Sequence, residues 1–134
     1  MSNSSTLVDT IPVQTGGFQT VKEYEIVIDT TATDLDILTP QSTNRLWVVG
    51  ISLADGAALN LTFKSINTTT STTTKSRTWE LAANQGLTGF IDNGFYFCTG
   101  MGEKLTIQSS VAIGASVGKN LVLYVGENPS FRRV

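Results

Sequence analysis

Histidine does not occur in this chain of 134 residues. Its absence removes the commonest general base and the commonest zinc ligand together. Cysteine occurs once, at Cys98, so an intrachain disulfide is excluded and stability has to come from packing, strand pairing or assembly. The lone thiol reads as a small buried apolar residue between aromatic neighbours. Charged residues make up 15% of the chain, against about 25% in a typical soluble domain. Net charge is −2 with no basic block, so the electrostatic footprint of a nucleic-acid binder is missing and nucleic acid is not an expected partner. The longest apolar runs, such as 46–51, are far too short to cross a bilayer, and no membrane association is expected. The opening Met-Ser-Asn-Ser-Ser has neither the charged nor the apolar part of a signal peptide, which predicts a chain made in a cytoplasm and soluble there. Nucleophile elbows, phosphate-cradling loops and dinucleotide fingerprints are also missing, so no enzyme and no cofactor are expected.

What the sequence does contain is alternation. Hydrophobic residues make up 40% of the chain, and its length suffices for one core that buries about two-thirds of the unfolded surface. With so little charge, the outside has to be covered by Thr, Ser, Asn and Gln, a surface that loses little when a neighbour covers it. Residues 1–20 are polar, and Pro12 with Gly16 and Gly17 argues against a regular element there, which predicts an extended arm. A strand is predicted at 24–29, with Tyr24, Ile26 and Ile28 on one face, and a weaker one at 34–38. Residues 45–54 are apolar on both faces, with Trp47, Val49, Ile51 and Leu53 on one side and Leu46 and Val48 on the other, the mark of a central strand. Asp55-Gly56 then precedes 58–65, where Leu59, Leu61 and Phe63 alternate with Asn60, Thr62 and Lys64, and this predicts a tight hairpin.

Residues 67–75 are nearly all Thr and Ser and read as an exposed hairpin tip or loop. Trp79 leads a strand back into the core, and 82–86 read as a turn. Residues 87–91 and 95–99 flank Asp92-Asn93-Gly94, a second expected tight turn. Strands at 104–110 and 120–126 complete the set, and 127–134 form a tail. The glycines at 100–102 and 114–118 lie between strands and read as turns. Eight to ten short strands, no helical periodicity and no internal repeat predict an all-β, antiparallel two-sheet β-sandwich at 21–126.

Candidate chemistry is sparse. Asp34 and Asp36 share a strand face, close enough in principle for a shared cation or an acid–base pair, but a solvated face or edge charge explains them as well. Trp47, Trp79, Tyr96 and Tyr124 are the candidates for a sugar-stacking platform, with Trp47 expected in the core. Asn60 and Asn67 match the glycosylation pattern, as a Thr-rich chain does by chance.

Several stretches taken in order carry a resemblance: Asp55-Gly56, 59–65 ending in Lys64-Ser65, Trp79-Glu80-Leu81-Ala82-Ala83-Asn84-Gln85-Gly86-Leu87, Gly94-Phe95-Tyr96-Phe97, Gly102-Glu103-Lys104-Leu105 and 121–125. Across 45–126 the order of turns and strands resembles small virion proteins of tailed bacteriophages, the head decoration or cement class. The resemblance implies a jelly-roll-like sandwich that binds the outside of an assembled capsid, with the major capsid protein as partner, self-association as a homotrimer, and a place on the virion surface. Under that reading the arm, around Ile11, Pro12, Val13 and Phe18, straps onto a neighbouring chain. Phe131, Arg132 and Arg133 of the tail are the other candidate interface residues, the arginines for acidic groups on the shell or a sister subunit. A tail or neck component, and a carbohydrate-binding or receptor-recognition sandwich, are the alternatives.

Overall fold

A computed structural model describes residues 3–12, 20–28, 33–53, 58–82, 87–90, 95–113 and 121–129. Among these residues there is no helix, and ten strands follow one another: β1 (Ser4–Pro12), β2 (Thr20–Val27), β3 (Leu35–Leu38), β4 (Arg45–Leu53), β5 (Leu59–Asn67), β6 (Thr72–Leu81), β7 (Leu87–Phe90), β8 (Phe97–Cys98), β9 (Lys104–Ser109) and β10 (Leu121–Asn128). They form an antiparallel sandwich of two sheets. The larger has the order β1-β2-β10-β4-β7, with β8 also on β4, and the smaller has the order β3-β9-β5-β6. Of the successive strands from β2 onward, only β5 and β6 are paired hairpin neighbours within one sheet.

That topology corrects the hairpin expected at Asp55-Gly56. β4 and β5 do not pair: β4 lies in one sheet and β5 in the other. Both hydrogen-bonding edges of β4 are already taken, by β10 on one side and by β7 and β8 on the other. A strand apolar on both faces is driven to the middle of a sheet, and its successor then has to start the opposite layer. The second expected hairpin is corrected for a related reason. β7 pairs Leu87–Phe90 with β4 from Leu53 back to Gly50, and β8 continues along the same edge at Val48 and Trp47. The Tyr96 amide donates to the Val48 carbonyl at 2.7 Å, and the Thr99 amide to the Leu46 carbonyl at 2.9 Å, extending that line. β7 and β8 therefore lie along one edge of β4 and do not pair with each other, while Asp92-Asn93-Gly94 lie outside the described residues.

The faces of β4 also differ from simple alternation. Tyr124 on β10 pairs with Gly50 and Val125 pairs with Val48, so Val49 is an extra residue, a bulge. Leu46, Val48, Ile51 and Leu53 consequently face the inter-sheet core, whereas Trp47 and Val49 face outward. A bulge moves every following side chain to the other face, which is why period-two counting divided this strand wrongly. Outside, Trp47, Val49, Val21 and Cys98 form a second, small buried cluster against which Tyr124 packs. Between the sheets, Phe63, Leu61, Leu105, Ile107, Leu121 and Leu123 are wholly buried, and Phe63 stacks on Phe97 with ring centres 5.8 Å apart.

The expectation that 1–20 hold no regular element is corrected for Ser4–Pro12, which form β1 against β2 from Ser4 opposite Val27 to Pro12 opposite Thr20. Thr6, Val8, Thr10 and Ile11 have the branched side chains that suit a strand, and Pro12, which cannot donate to a ladder, stands at its end. The exposed tip expected at 67–75 narrows to the turn 68–71: β6 begins at Thr72. Asn67 shapes that turn by accepting from the amides of Thr69 and Thr70 at 2.9 and 3.1 Å.

At the far end of the smaller sheet, Gly102 adopts φ +72° and donates its amide to the Asn44 carbonyl at 2.7 Å. A Cβ there would stand 3.1 Å from the Ser42 carbonyl oxygen. Asn44 is held in turn by Glu127, whose Oε2 accepts from Asn44 Nδ2 at 2.8 Å and from the Gln41 amide at 3.0 Å.

Two substitutions separate core from surface. Phe63→Ala is expected to lower the unfolding free energy by about 3–5 kcal/mol, whereas Thr72→Ala on the exposed strand changes it by less than about 0.5 kcal/mol, both read by urea titration. Equal effects from the two would show that the inter-sheet core is placed wrongly.

Candidate functional site

The sandwich has an open side where the edge strand of each sheet meets the other. β6 is the outer strand of the smaller sheet, and β8 lies on the outer side of β4 in the larger one. Between them Lys75, Ser76, Arg77, Phe95, Tyr96, Phe97 and Cys98 line a cleft of about 170 Å³. Lys75, Arg77 and Trp79 occupy alternate positions of β6 and so project to one face, the face turned toward the other sheet. Lys75 Nζ lies 5.4 Å from the centre of the Phe97 ring, and the Arg77 guanidinium lies 4.3 Å from that of Trp79. Tyr96 meets Trp79 edge-on at 5.5 Å, and Phe95 meets Trp47 in the same manner at 4.9 Å. Among the described residues neither Lys75 nor Arg77 is in an ion pair. The cleft is thus a pair of cations set on an aromatic floor, suited chemically to a carboxylate with an apolar body.

Polar side chains fasten β6 above this cleft. Ser65 Oγ donates to Glu103 Oε1 at 2.8 Å and accepts the Gly100 amide at 2.9 Å, and Thr74 Oγ1 also donates to Glu103 Oε1. Thr74 is the extra residue of a bulge, since Ser65 pairs with Lys75 and Ile66 with Thr73. The bulge releases Thr74 from the ladder and frees its hydroxyl for Glu103.

A second surface lies on the opposite side. β1 is the outer strand of the larger sheet, and its Leu7 and Val8 are 50% and 52% exposed. Leu7 pairs with Tyr24 and Asp9 with Glu23, so Val8 sits in a bulge. Asp9 beside it is exposed, and its Oδ1 accepts the Thr10 amide at 2.8 Å.

Of the residues singled out in the sequence, Ile11 and Pro12 lie at the end of β1 opposite Val21 and Thr20, while Val13, Phe18, Phe131, Arg132 and Arg133 lie outside the described residues. Asp34 and Asp36 are each drawn to a lysine across the smaller sheet, Asp34 to Lys64 at 3.0 Å and Asp36 to Lys104 at 3.1 Å. Such exposed pairs contribute about 0–1 kcal/mol each. The four aromatics considered for sugar stacking are placed apart: Trp47 and Tyr124 on the outer face of the larger sheet, Tyr96 in the cleft lining, and Trp79 packed against the inter-sheet core with its edge on Tyr96. Arg77 already covers the face of Trp79, and Tyr96 is buried. The cations of the cleft were missed in the sequence because 67–75 read as loop and the next strand was read only from 78, which left out Lys75 and Arg77; the signal was there in Lys75, Arg77 and Trp79 at every second position.

Burial raises the pKa of every tyrosine and of the thiol. Tyr24 is raised by desolvation and then by the nearby Glu127 charge, Tyr96 by desolvation, and Tyr124 by desolvation and then by its hydrogen bond to Glu23 and that residue's charge. Desolvation raises Cys98 as well, against the opposing pull of Lys75 and Arg45. Its Sγ donates to the Thr99 carbonyl at 3.1 Å. Among the described residues no three His, Cys, Asp or Glu side chains gather as a metal site.

Comparison with protein-family models, with curated proteins and with solved structures returned no match for this chain.

The tyrosine and cysteine shifts share a sign. A group whose pKa is higher folded than unfolded gives stability that is intact below its unfolded pKa and is lost as pH rises through the folded value. Unfolding free energy is therefore expected to hold steady through neutral pH and to fall above about pH 9 to 10, where the unfolded thiol and phenols begin to ionise. Denaturant melts across that range check it, and stability rising with pH above 10 would contradict the burial of these groups.

Proposed function

We propose that this chain is a structural virion protein that binds the outer surface of a phage capsid and stabilises it, self-associating as a homotrimer with the major capsid protein as partner. The observation that carries the reading is β1: an outermost strand, clothed in Ser and Thr, that leaves Leu7 and Val8 half open side by side. An edge strand with exposed apolar side chains offers backbone groups and an apolar anchor to a neighbouring chain. Ile11 and Pro12, in the same strand, belong to that surface in this reading. The strand order supports a jelly-roll-like sandwich: with β1 set aside and β7 with β8 taken as one interrupted strand, four strands remain in each sheet. The low charge of the chain fits a surface meant to be covered, since few ions would have to be desolvated.

The mechanism is avidity. Each copy contributes a modest contact, and linking copies turns later contacts into intramolecular ones, so the assembly holds the shell far more tightly than one chain does. Contacts that bridge neighbouring shell subunits then resist outward pressure from packaged genome.

Sedimentation of the purified chain with empty, expanded phage capsids tests this. Saturable co-migration is expected, and Leu7→Asp with Val8→Asp should weaken it by roughly tenfold or more by removing the apolar anchor to a neighbouring chain and, where that chain is a sister copy, the avidity of linked copies, with the thermal melt nearly unchanged. A folded chain that stays in the supernatant at saturating capsid, or that binds a glycan array instead, would overturn the proposal.

A further inference from the structure

Four large apolar side chains are left at least two-fifths open among the described residues: Leu7, Val8, Phe95 and Met101. Two stand on β1, and a third stands at the cleft between β6 and β8. The two surfaces differ in charge. The cleft carries Lys75 and Arg77, whereas the apolar pair on β1 is followed directly by Asp9.

Among the described acidic residues Asp9 alone joins an open carboxylate to an open apolar patch. Asp34 and Asp36 are paired with lysines, Glu103 holds Ser65 and Thr74, and Glu127 holds Gln41 and Asn44. Glu23 is engaged with Tyr124. Glu25 and Glu80 are exposed, but the residues on either side of each pack toward the core.

We infer that the cleft between β6 and β8 receives residues 7–9 of a second copy of this chain, with Leu7 and Val8 against Phe95 and the Asp9 carboxylate at Lys75 and Arg77. The inference rests on the self-association put forward above and does not require the capsid. Geometry rules out insertion into the same chain: β1 and β7 end opposite sides of the path β1-β2-β10-β4-β7, about 19 Å apart at the usual strand spacing. Donor and acceptor on opposite edges make the contact head-to-tail, and such contacts generate rings when the rotation closes. Each subunit of a closed ring then supplies one β1 and one cleft, leaving neither exposed. The carboxylate gives the contact its register, because a strand displaced by one residue would put Val8 or Thr10 where the cations lie.

Sedimentation equilibrium of the whole chain over a wide concentration range, at low and at high salt, tests the contact. The chain is expected to associate, more weakly at high salt. Asp9→Arg and Arg77→Asp should each weaken association by about tenfold or more, and the two together in one chain should recover most of it by reversing the pair. Asp9 is exposed on an outer strand, so Asp9→Arg keeps the fold and decides the matter even if Arg77→Asp, which removes a cation stacked on Trp79, does not. A chain that stays monomeric throughout overturns the inference, as does association indifferent to Asp9→Arg. With both singles folded, a double variant no better than either single also overturns it. Capsid sedimentation of the same samples keeps the two readings apart. A monomer that still binds capsids sinks the β1–cleft contact alone, and a charge-dependent oligomer that ignores capsids sinks the capsid reading alone.

Discussion

β4 sits between β10 and the line formed by β7 and β8, with both of its hydrogen-bonding edges filled, and the rest of the architecture follows from that placement. A strand apolar on both faces is best buried in the middle of a sheet, where neither edge meets water. Once it is there, the chain that leaves it has no free edge to pair with and has to found the second layer. β5 and β6 do so, and they take the Thr-rich segment with them to the far rim of the smaller sheet. The bulge at Val49 completes the arrangement by turning Leu46 and Val48 into the same core as Ile51 and Leu53, and by sending Trp47 outward.

The two rims that result are built differently. On β6, Lys75 and Arg77 point toward the other sheet, and a bulge at Thr74 interrupts the ladder. Inward charges and bulges are the devices by which natural sheets discourage indiscriminate edge pairing. The rim is closed to a generic strand, yet those charges leave it receptive to one that brings a carboxylate. β1 has its own bulge at Val8, beside two half-open apolar side chains. Selectivity at such rims comes from side chains, because the backbone groups of any edge are the same.

Much of this was legible in the sequence, and the parts that were not share a cause. Alternation in 58–65, 104–110 and 120–126 marked β5, β9 and β10 correctly, and their inward residues Leu61, Phe63, Leu105, Ile107, Leu121 and Leu123 are the core. Local pattern reports which face a side chain takes, and it did so wherever no bulge intervened. It carries nothing about which strand lies alongside. Asp55-Gly56 is chemically apt for a tight turn, but whether a turn joins two paired strands is decided by whether the first has an edge left. β1 was hidden because its partner β2 buries little of it: an outer strand with polar side chains has no apolar period to display. The cleft was hidden because it is assembled from residues about twenty positions apart, Lys75 and Arg77 with Phe95 and Phe97.

Cations placed over aromatic rings illustrate how a protein with few charges can still use them. An ammonium or guanidinium held on a ring is already partly desolvated, and its side chain has already surrendered much of its rotamer freedom. Lys64 and Lys104 spend their charge on neighbouring aspartates at the smaller sheet's outer face, which leaves modest fields there. Lys75 and Arg77 are instead pinned by Phe97 and Trp79 with their charge uncompensated among the described residues. The ordering cost of meeting an incoming carboxylate is therefore lower at the cleft than at a mobile surface lysine, and among the described lining residues no acidic side chain opposes it. Two cations placed together on one rim steer a partner that bears a well-placed carboxylate toward it.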